Sequence, residues 1–415
     1  MSRAFAVRRW ALPAGCFGAG LASGLAFRQS PTPTTASSDS DAATTTPVVA
    51  STGAVHPADG PVDLFGAVGN TPLIELKSLS RLTQCKIYAK AEYMNPCGSV
   101  KDRAAKYLIL DAEAKGELTP GATLVEATGG NTGVSLALLA AARGYKTVFT
   151  MPKVIATEKI ELMRVMGAQV HLQPLASWLD RENHFYHEAH RLAAALPNAS
   201  YPNQFENTAN ARAHYEGTGP EIWRQTGGKV DAFVAASGTS GTLAGTSKFL
   251  KEKNSDVKVW IVDPEECAGM SMFVNNGGTT STPKGGFDVI PTAMGSTIAE
   301  GIALSRVTPN FREGVVDKGV VVSNQEIVDM AYFLLRNDGI FVGPSAALNV
   351  VGAVKMAREL GPGHSVVTVL CDGGDRYRSK LYNREWLAER KLLPRDPDNR
   401  DSLEFIGPLT FPKKA

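Results

Sequence analysis

From residue 62 onward, short apolar runs of β-forming residues alternate with stretches whose apolar positions recur every three to four residues. The runs at 86–91, 123–126, 146–151, 169–172, 230–235, 257–262 and 366–370 read as strands, and helical patterns occupy 102–115, 134–143 and 243–252. Continuous apolar strands separated by helices are what a largely parallel sheet covered on both faces requires. The pattern therefore predicts an α/β protein with two doubly wound domains. Several of the strands run into glycine-rich loops, and in open parallel sheets ligands bind outside the carboxyl ends of the strands.

The first sixty residues follow a different pattern. Arg3, Arg8 and Arg9 precede an apolar stretch at 10–27, closed by Arg28, and no acidic residue occurs before Asp39. An arginine-rich, acid-free start fits a mitochondrial presequence. The apolar run is also just long enough for a short membrane anchor, and a secretory signal is a third reading. Pro13 and the glycines of this run weaken both a stable helix and a span. Residues 29–60 are rich in Thr, Ser, Ala and Pro and cannot bury enough surface to fold, so they read as a disordered linker.

With 415 residues and 43% hydrophobic content, the chain is long enough for a sizeable core. The net charge of +2 and the lack of a basic stripe with interleaved aromatics argue against nucleic acid as a partner. The five cysteines are scattered, with no C-x-x-C pair and no cluster with His at metal-ligand spacing, so neither a disulfide framework nor a metal site is expected. Small metabolites remain as partners.

Four segments carry candidate chemistry. In Asn95-Pro-Cys-Gly-Ser-Val-Lys-Asp-Arg103, Lys101 stands between a Pro/Gly turn and a helix, where a partly desolvated amine can condense with an aldehyde. The strand at 123–126 enters Ala-Thr-Gly-Gly-Asn-Thr-Gly133, whose backbone N–H groups and Thr128, Asn131 and Thr132 side chains suit an anion such as a carboxylate; a tight turn with a Thr cap is the plainer alternative. The strand at 230–235 enters Ala-Ser-Gly-Thr-Ser-Gly-Thr242. Gly238 and Gly241 would admit a ligand close to the backbone there, and Thr239, Ser240 and Thr242 offer hydroxyls. No lysine follows as in an ATP-binding P-loop, and G-x-G-x-x-G is missing, so one phosphate monoester is the better guest. Gly343-Pro-Ser-Ala-Ala347 opens another helix, where Ser345 is either a cap or a ligand, and the strand at 366–370 leads into Cys-Asp-Gly-Gly-Asp-Arg-Tyr377.

A lysine, a monophosphate cup and a carboxylate loop together suit pyridoxal 5'-phosphate and an amino acid. From Gly66-Ala-Val-Gly-Asn-Thr-Pro-Leu73 to Asp375-Arg-Tyr377 the chain resembles the cysteine synthases, of the fungal mitochondrial type, in the pyridoxal-phosphate family that includes cystathionine β-synthase and serine/threonine dehydratases. The resemblance implies fold type II, like the tryptophan synthase β chain, with the cofactor between two domains. These are 61–215, including a mobile substrate-carboxylate subdomain, and 216–395, with a tail at 396–415. It also implies that Lys101 binds the cofactor covalently and then takes the substrate's α-proton, and that Asn131 hydrogen-bonds the ring oxygen. Gly238, Thr239, Ser240, Gly241 and Thr242 would hold the phosphate, Ser345 would face the ring nitrogen, and Thr128, Gly129, Asn131, Thr132 and Gln204 would grip the substrate carboxylate.

The implied reaction is β-replacement of O-acetyl-L-serine by sulfide, in a mitochondrial homodimer that meets a membrane only if residues 10–27 are retained. Cystathionine β-synthase or dehydratase activity, and cofactor binding without turnover, are the alternatives. Two positions depart from the family pattern. Gly129 replaces a usual Ser, and Ser240 replaces a usual Gly, tolerable if its φ is negative. Cys97 reads as a packed small residue rather than a reactive thiol.

Overall fold

The larger of two parallel-stranded sheets has the strand order Leu73–Glu75, Lys86–Ala91, Ser365–Leu370, Ala232–Ala235, Lys258–Pro264, Lys318–Val322. Its first pair is antiparallel and the other pairings are parallel. The smaller sheet, Gln169–Gln173, Lys146–Pro152, Thr123–Ala127, Ala199–Ser200, is parallel throughout. A short antiparallel ribbon of Pro283–Lys284, Phe287–Val289 and Arg306–Val307 completes the strands. This computed structural model describes residues 61–412 except 279–282, 285, 291–296, 303, 396–397 and 400. The expected targeting segment or anchor at 1–28 and linker at 29–60 lie outside the described residues.

The apolar strands are buried on both faces, as their continuous hydrophobic runs demand. On one face of the larger sheet Val366, Leu370, Val234 and Val262 pack against Leu348 and Val351 of the helix Pro344–Leu360. On the other, Val367, Val369, Phe233 and Ile261 meet Leu243 and Leu250 of the helix Gly241–Lys253. The smaller sheet repeats this alternation. Leu124, Phe149 and Met151 face Ile109 and Val134, while Val125, Ala127 and Val148 face Tyr186, Ala189 and Phe205. Each such side chain contributes about 1.5–3 kcal/mol through burial. The chain thus has the expected α/β architecture of largely parallel sheets covered on both faces.

The division between the sheets does not follow the expected cut after residue 215. Lys86–Ala91 pairs residue for residue with Ser365–Leu370, so the first strands join the larger sheet, and the smaller one is an insertion spanning 123–200. The segment expected as a tail is packed. Leu403 and Ile406 are buried in the core, their carbonyls accept from Arg358, and Val321 N donates to Thr410 O at 3.1 Å.

Candidate active site

Lys101 is the first residue of the helix Lys101–Ala114, held there by the turn before it. Gly98 N donates to Asn95 O at 2.8 Å, and Val100 N donates to Cys371 O at 2.8 Å, tying the turn to the end of the strand Ser365–Leu370. Gly98 has φ +79, and a Cβ there would lie 2.8 Å from Arg376 Nη2, so the turn requires glycine. Burial pushes the Lys101 ammonium below its ordinary range; Cys371 and Asp372 oppose this and Lys159 adds to it.

Lys101 opens on a cavity of about 1200 Å³ that also takes in Gly129, Asn131, Thr132, Gln204, Gly238, Thr239, Ser240, Gly241, Thr242 and Ser345. Of the residues assigned from sequence, Thr128 alone is set back from this wall. It is fully buried, and its Oγ1 accepts from Gly130 N at 3.0 Å and Gly133 N at 3.1 Å. These two bonds shape the loop from behind. Gly130, at φ +125, turns the chain directly into the helix Asn131–Ala142, so that helix begins three residues before the sequence pattern placed it; its N-cap residue has no side chain, and Thr128 takes the Gly133 N–H instead.

The loop at 238–242 is a close backbone fit. A Cβ at Gly238 would come within 2.3 Å of Gly301 O, and one at Gly241 within 2.1 Å of Asn210 Oδ1. Ser240 does not meet the condition of a negative φ: its φ is +74, the left-handed region. Its hydroxyl is anchored by Ser237 Oγ at 2.7 Å and Thr308 Oγ1 at 3.4 Å, which holds the unfavourable conformation in place. Asn210 Nδ2 donates to Thr239 Oγ1 at 2.8 Å.

Several site residues gave no sequence signal. His214 begins the π-helical turn His214–Thr218; its Nε2 lies 3.1 Å from Thr242 Oγ1 and its Nδ1 lies 2.8 Å from Thr218 Oγ1. Burial, with Arg103 and Lys101 nearby, pushes its pKa well below the usual value, so the ring is neutral. Lys159, fully buried, donates to Glu300 Oε2 and to Tyr377 Oη, both at 2.9 Å. Ser345 is not a cap, because Gly343 occupies that position and Pro344 follows it. Cys371 hydrogen-bonds Ser345, and burial pushes its thiol up to about 11, so Ser345 has a neutral thiol beside it. The Cys97 thiol is raised by burial and by Asp102, as suits a packed residue.

Residues 64–372 match the family model described as pyridoxal-phosphate dependent enzyme. The chain belongs to the pyridoxal-phosphate-dependent enzyme family. It is 46% identical over 343 residues to a cysteine synthase of Dictyostelium discoideum, covering 83% of this chain and 89% of that one. It is 46% identical over 339 residues to cysteine synthase 1 of Neurospora crassa, covering 81% and 87%. A Saccharomyces cerevisiae protein named "Putative mitochondrial cysteine synthase" is 38% identical over 76% of this chain and 82% of its own. An O-acetylserine-dependent cystathionine β-synthase from Helicobacter pylori superposes with a TM-score of 0.67 at 33% identity, covering 76% of this chain and 97% of that one.

The residues present fit the family's cofactor. The loop at 238–242 presents hydroxyls and backbone N–H groups at a helix N-terminus and contains no carboxylate, the donor set for a monophosphate. A lysine with a depressed pKa on the same cavity wall supplies the amine that an aldehyde needs.

Proposed function

We propose that this protein is a cysteine synthase, replacing the acetoxy group of O-acetyl-L-serine with sulfide to give L-cysteine and acetate. The observation that carries the reading is the convergence of Lys101, the Asn131 loop, the 238–242 loop and the uncharged Ser345 on one cavity. When bound, pyridoxal phosphate supplies the electron sink that allows a bond at the substrate's α-carbon to break. Lys101 would hold the cofactor and, once free, would take the α-proton at Nζ; burial keeps that amine closer to its neutral form. The hydroxyls of Thr239 and Thr242, with the backbone N–H groups from Gly238 to Thr242, bind the phosphate. The second N–H of the Gln204 amide and the backbone N–H groups of Gly129, Asn131 and Thr132 would bind the substrate carboxylate, the Thr132 hydroxyl orienting Gln204 through Oε1. Ser345 would face the ring nitrogen as a neutral partner, which would favour loss of a β-leaving group over transamination.

The unit built on the smaller sheet closes over the carboxylate and excludes water. The active form is a homodimer, as the resemblance implies. The acid-free, arginine-rich N-terminus and the yeast relative's name support a mitochondrial location. Among the described residues no helix is long and apolar enough to cross a membrane.

A second reading, transfer to a larger thiol as in cystathionine synthesis, draws support from the reach of the cavity to Trp386 and Arg390. Absorbance of the purified holoenzyme separates the readings. With O-acetylserine a red-shifted band should appear and sulfide should discharge it. A band that only serine produces, or that sulfide leaves unchanged while a thiol amino acid removes it, would displace the first reading.

A further inference from the structure

The loop after the strand Ser365–Leu370 grips both ends of the Asn131 amide. Asp372 Oδ2 accepts from Asn131 Nδ2 at 2.7 Å and from Tyr377 Oη at 2.6 Å. Arg376 Nη1 donates to Asn131 Oδ1 at 2.7 Å, and its Nη2 donates to the Cys97 carbonyl. Asp372 is fully buried and Arg376 nearly so.

The two ends of an amide are almost the same shape, so sterics alone rarely decide which way it points. Here the chemistry decides. An ionised carboxylate only accepts, so it must face the NH₂ group; a guanidinium only donates, so it must face the carbonyl. Turned over, the amide would set its carbonyl against Asp372 and its NH₂ against Arg376, losing two charge-assisted hydrogen bonds in a buried place. With the carbonyl turned to Arg376 and one N–H committed to Asp372, the second N–H is the amide's remaining donor, and Asn131 lines the cavity.

The same loop fixes two more parts of the site through its backbone. Val100 N donates to Cys371 O at 2.8 Å, just before Lys101, and Gly343 N donates to Asp372 O at 3.0 Å, just before the helix that carries Ser345. The clamp on Asn131 therefore holds a constant relation to the lysine and to the ring-nitrogen partner.

We infer that Asp372 and Arg376 are positioning residues that lock the Asn131 amide as a hydrogen-bond donor toward the cofactor's ring oxygen. The inference rests on the reading of Asn131 as the ring-oxygen ligand.

The test uses the full-length holoenzyme without substrate and follows the absorption bands of the lysine-bound cofactor across pH. A donor to the ring oxygen favours its anionic, longer-wavelength form. Asp372→Ala and Arg376→Met each release one end of the amide. Each should lower the ratio of long- to short-wavelength bands by roughly twofold to tenfold, the range that one lost hydrogen bond carries. Asn131→Ala should shift the ratio the same way, and combining it with Asp372→Ala should add nothing further. Asp372→Asn, which keeps an acceptor oxygen, should restore the wild-type ratio. A shift in Asn131→Ala with wild-type bands in both Asp372→Ala and Arg376→Met would overturn the clamp alone. Wild-type bands in Asn131→Ala would overturn the ring-oxygen assignment and the clamp with it. If Asp372→Ala does not fold, Arg376→Met and Asp372→Asn still decide the matter.

Discussion

The hydroxyl of Thr132 donates to Gln204 Oε1 at 2.6 Å, joining two cavity residues that lie 72 positions apart. Gln204 is fixed in turn, since its Nε2 donates to Ala127 O at 2.7 Å and its own carbonyl accepts from Asn210 and Asn310. A carboxylate arriving at this loop thus meets a Gln204 amide already held in place, with its second Nε2–H to donate, so little ordering cost is due on binding.

Gln204→Ala should accordingly act on binding more than on chemistry. The loss of one oriented hydrogen bond predicts a rise in KM for O-acetylserine of about tenfold, equivalent to ~1.4 kcal/mol, with kcat changed by less than about threefold. Steady-state kinetics at saturating sulfide check this. An unchanged KM would remove Gln204 from the carboxylate grip.

Gly129 offers the converse experiment. Its φ is not in the left-handed region, and a Cβ there would sit 3.4 Å from Gly301 Cα, close to ordinary contact. Gly129→Ser should fold with a melting temperature within about 2 °C of wild type. The added hydroxyl should lower KM for O-acetylserine by up to about tenfold. A variant that folds and binds cofactor yet shows a raised KM would mean that the space at Gly129 is itself used by substrate.

The central strands and the loops following them were legible in the sequence because each strand is a continuous apolar run and each loop announces itself by glycine and hydroxyl residues. The strands Leu73–Glu75 and Ala199–Ser200 were not, being two or three residues long and defined by their partners. The conformation of Ser240 was hidden for a related reason: its positive φ is sustained by Ser237 and by Thr308, 68 positions away. His214, Asp372 and Lys159 act through contacts between distant segments, and periodicity carries no trace of such contacts.

Beneath the turn of Lys101 lies a buried ionic cluster that offers a stability test. Arg103 pairs with Glu92 and Glu221, each at 2.7 Å, and Lys90 also pairs with Glu221. Burial alone would raise the Glu221 pKa, but Arg103 and Lys90 outweigh it and hold the carboxyl at about 2. A depressed carboxyl contributes stability above its unfolded value near 4.5 that is lost as pH falls toward 2. Glu221→Ala leaves Lys90 and Arg103 short of a partner and should cost about 3–5 kcal/mol at pH 7. It should also flatten the acid limb of the stability profile. Denaturant titrations at pH 3, 5 and 7 check both, and a loss below about 1 kcal/mol would show that the cluster rearranges around the missing charge.

Glu126 sets the opposite limb. It is fully buried at the end of a central strand; its Oε1 accepts from Gln204 N at 3.2 Å, while Oε2 has no hydrogen-bond partner and the Tyr201 hydroxyl lies nearby. Burial raises its pKa to about 8, against backbone hydrogen bonds from Gln204, Asn203 and Ala127 that lower it. Between the unfolded value near 4.5 and the folded value near 8, the folded state keeps a proton that the unfolded state has lost. Stability therefore falls as pH rises through that window. Glu126→Gln keeps the acceptor oxygen and removes the titration. Its stability relative to wild type should grow steadily from pH 5 to pH 8, by as much as ~1.4 kcal/mol per pH unit, the limit for one proton. Asp263, raised to about 7 by burial, titrates in both proteins and leaves the difference untouched. Urea unfolding at one-unit steps reads the difference directly, and parallel profiles for the two proteins would mean that Glu126 is ionised in the native state despite its burial.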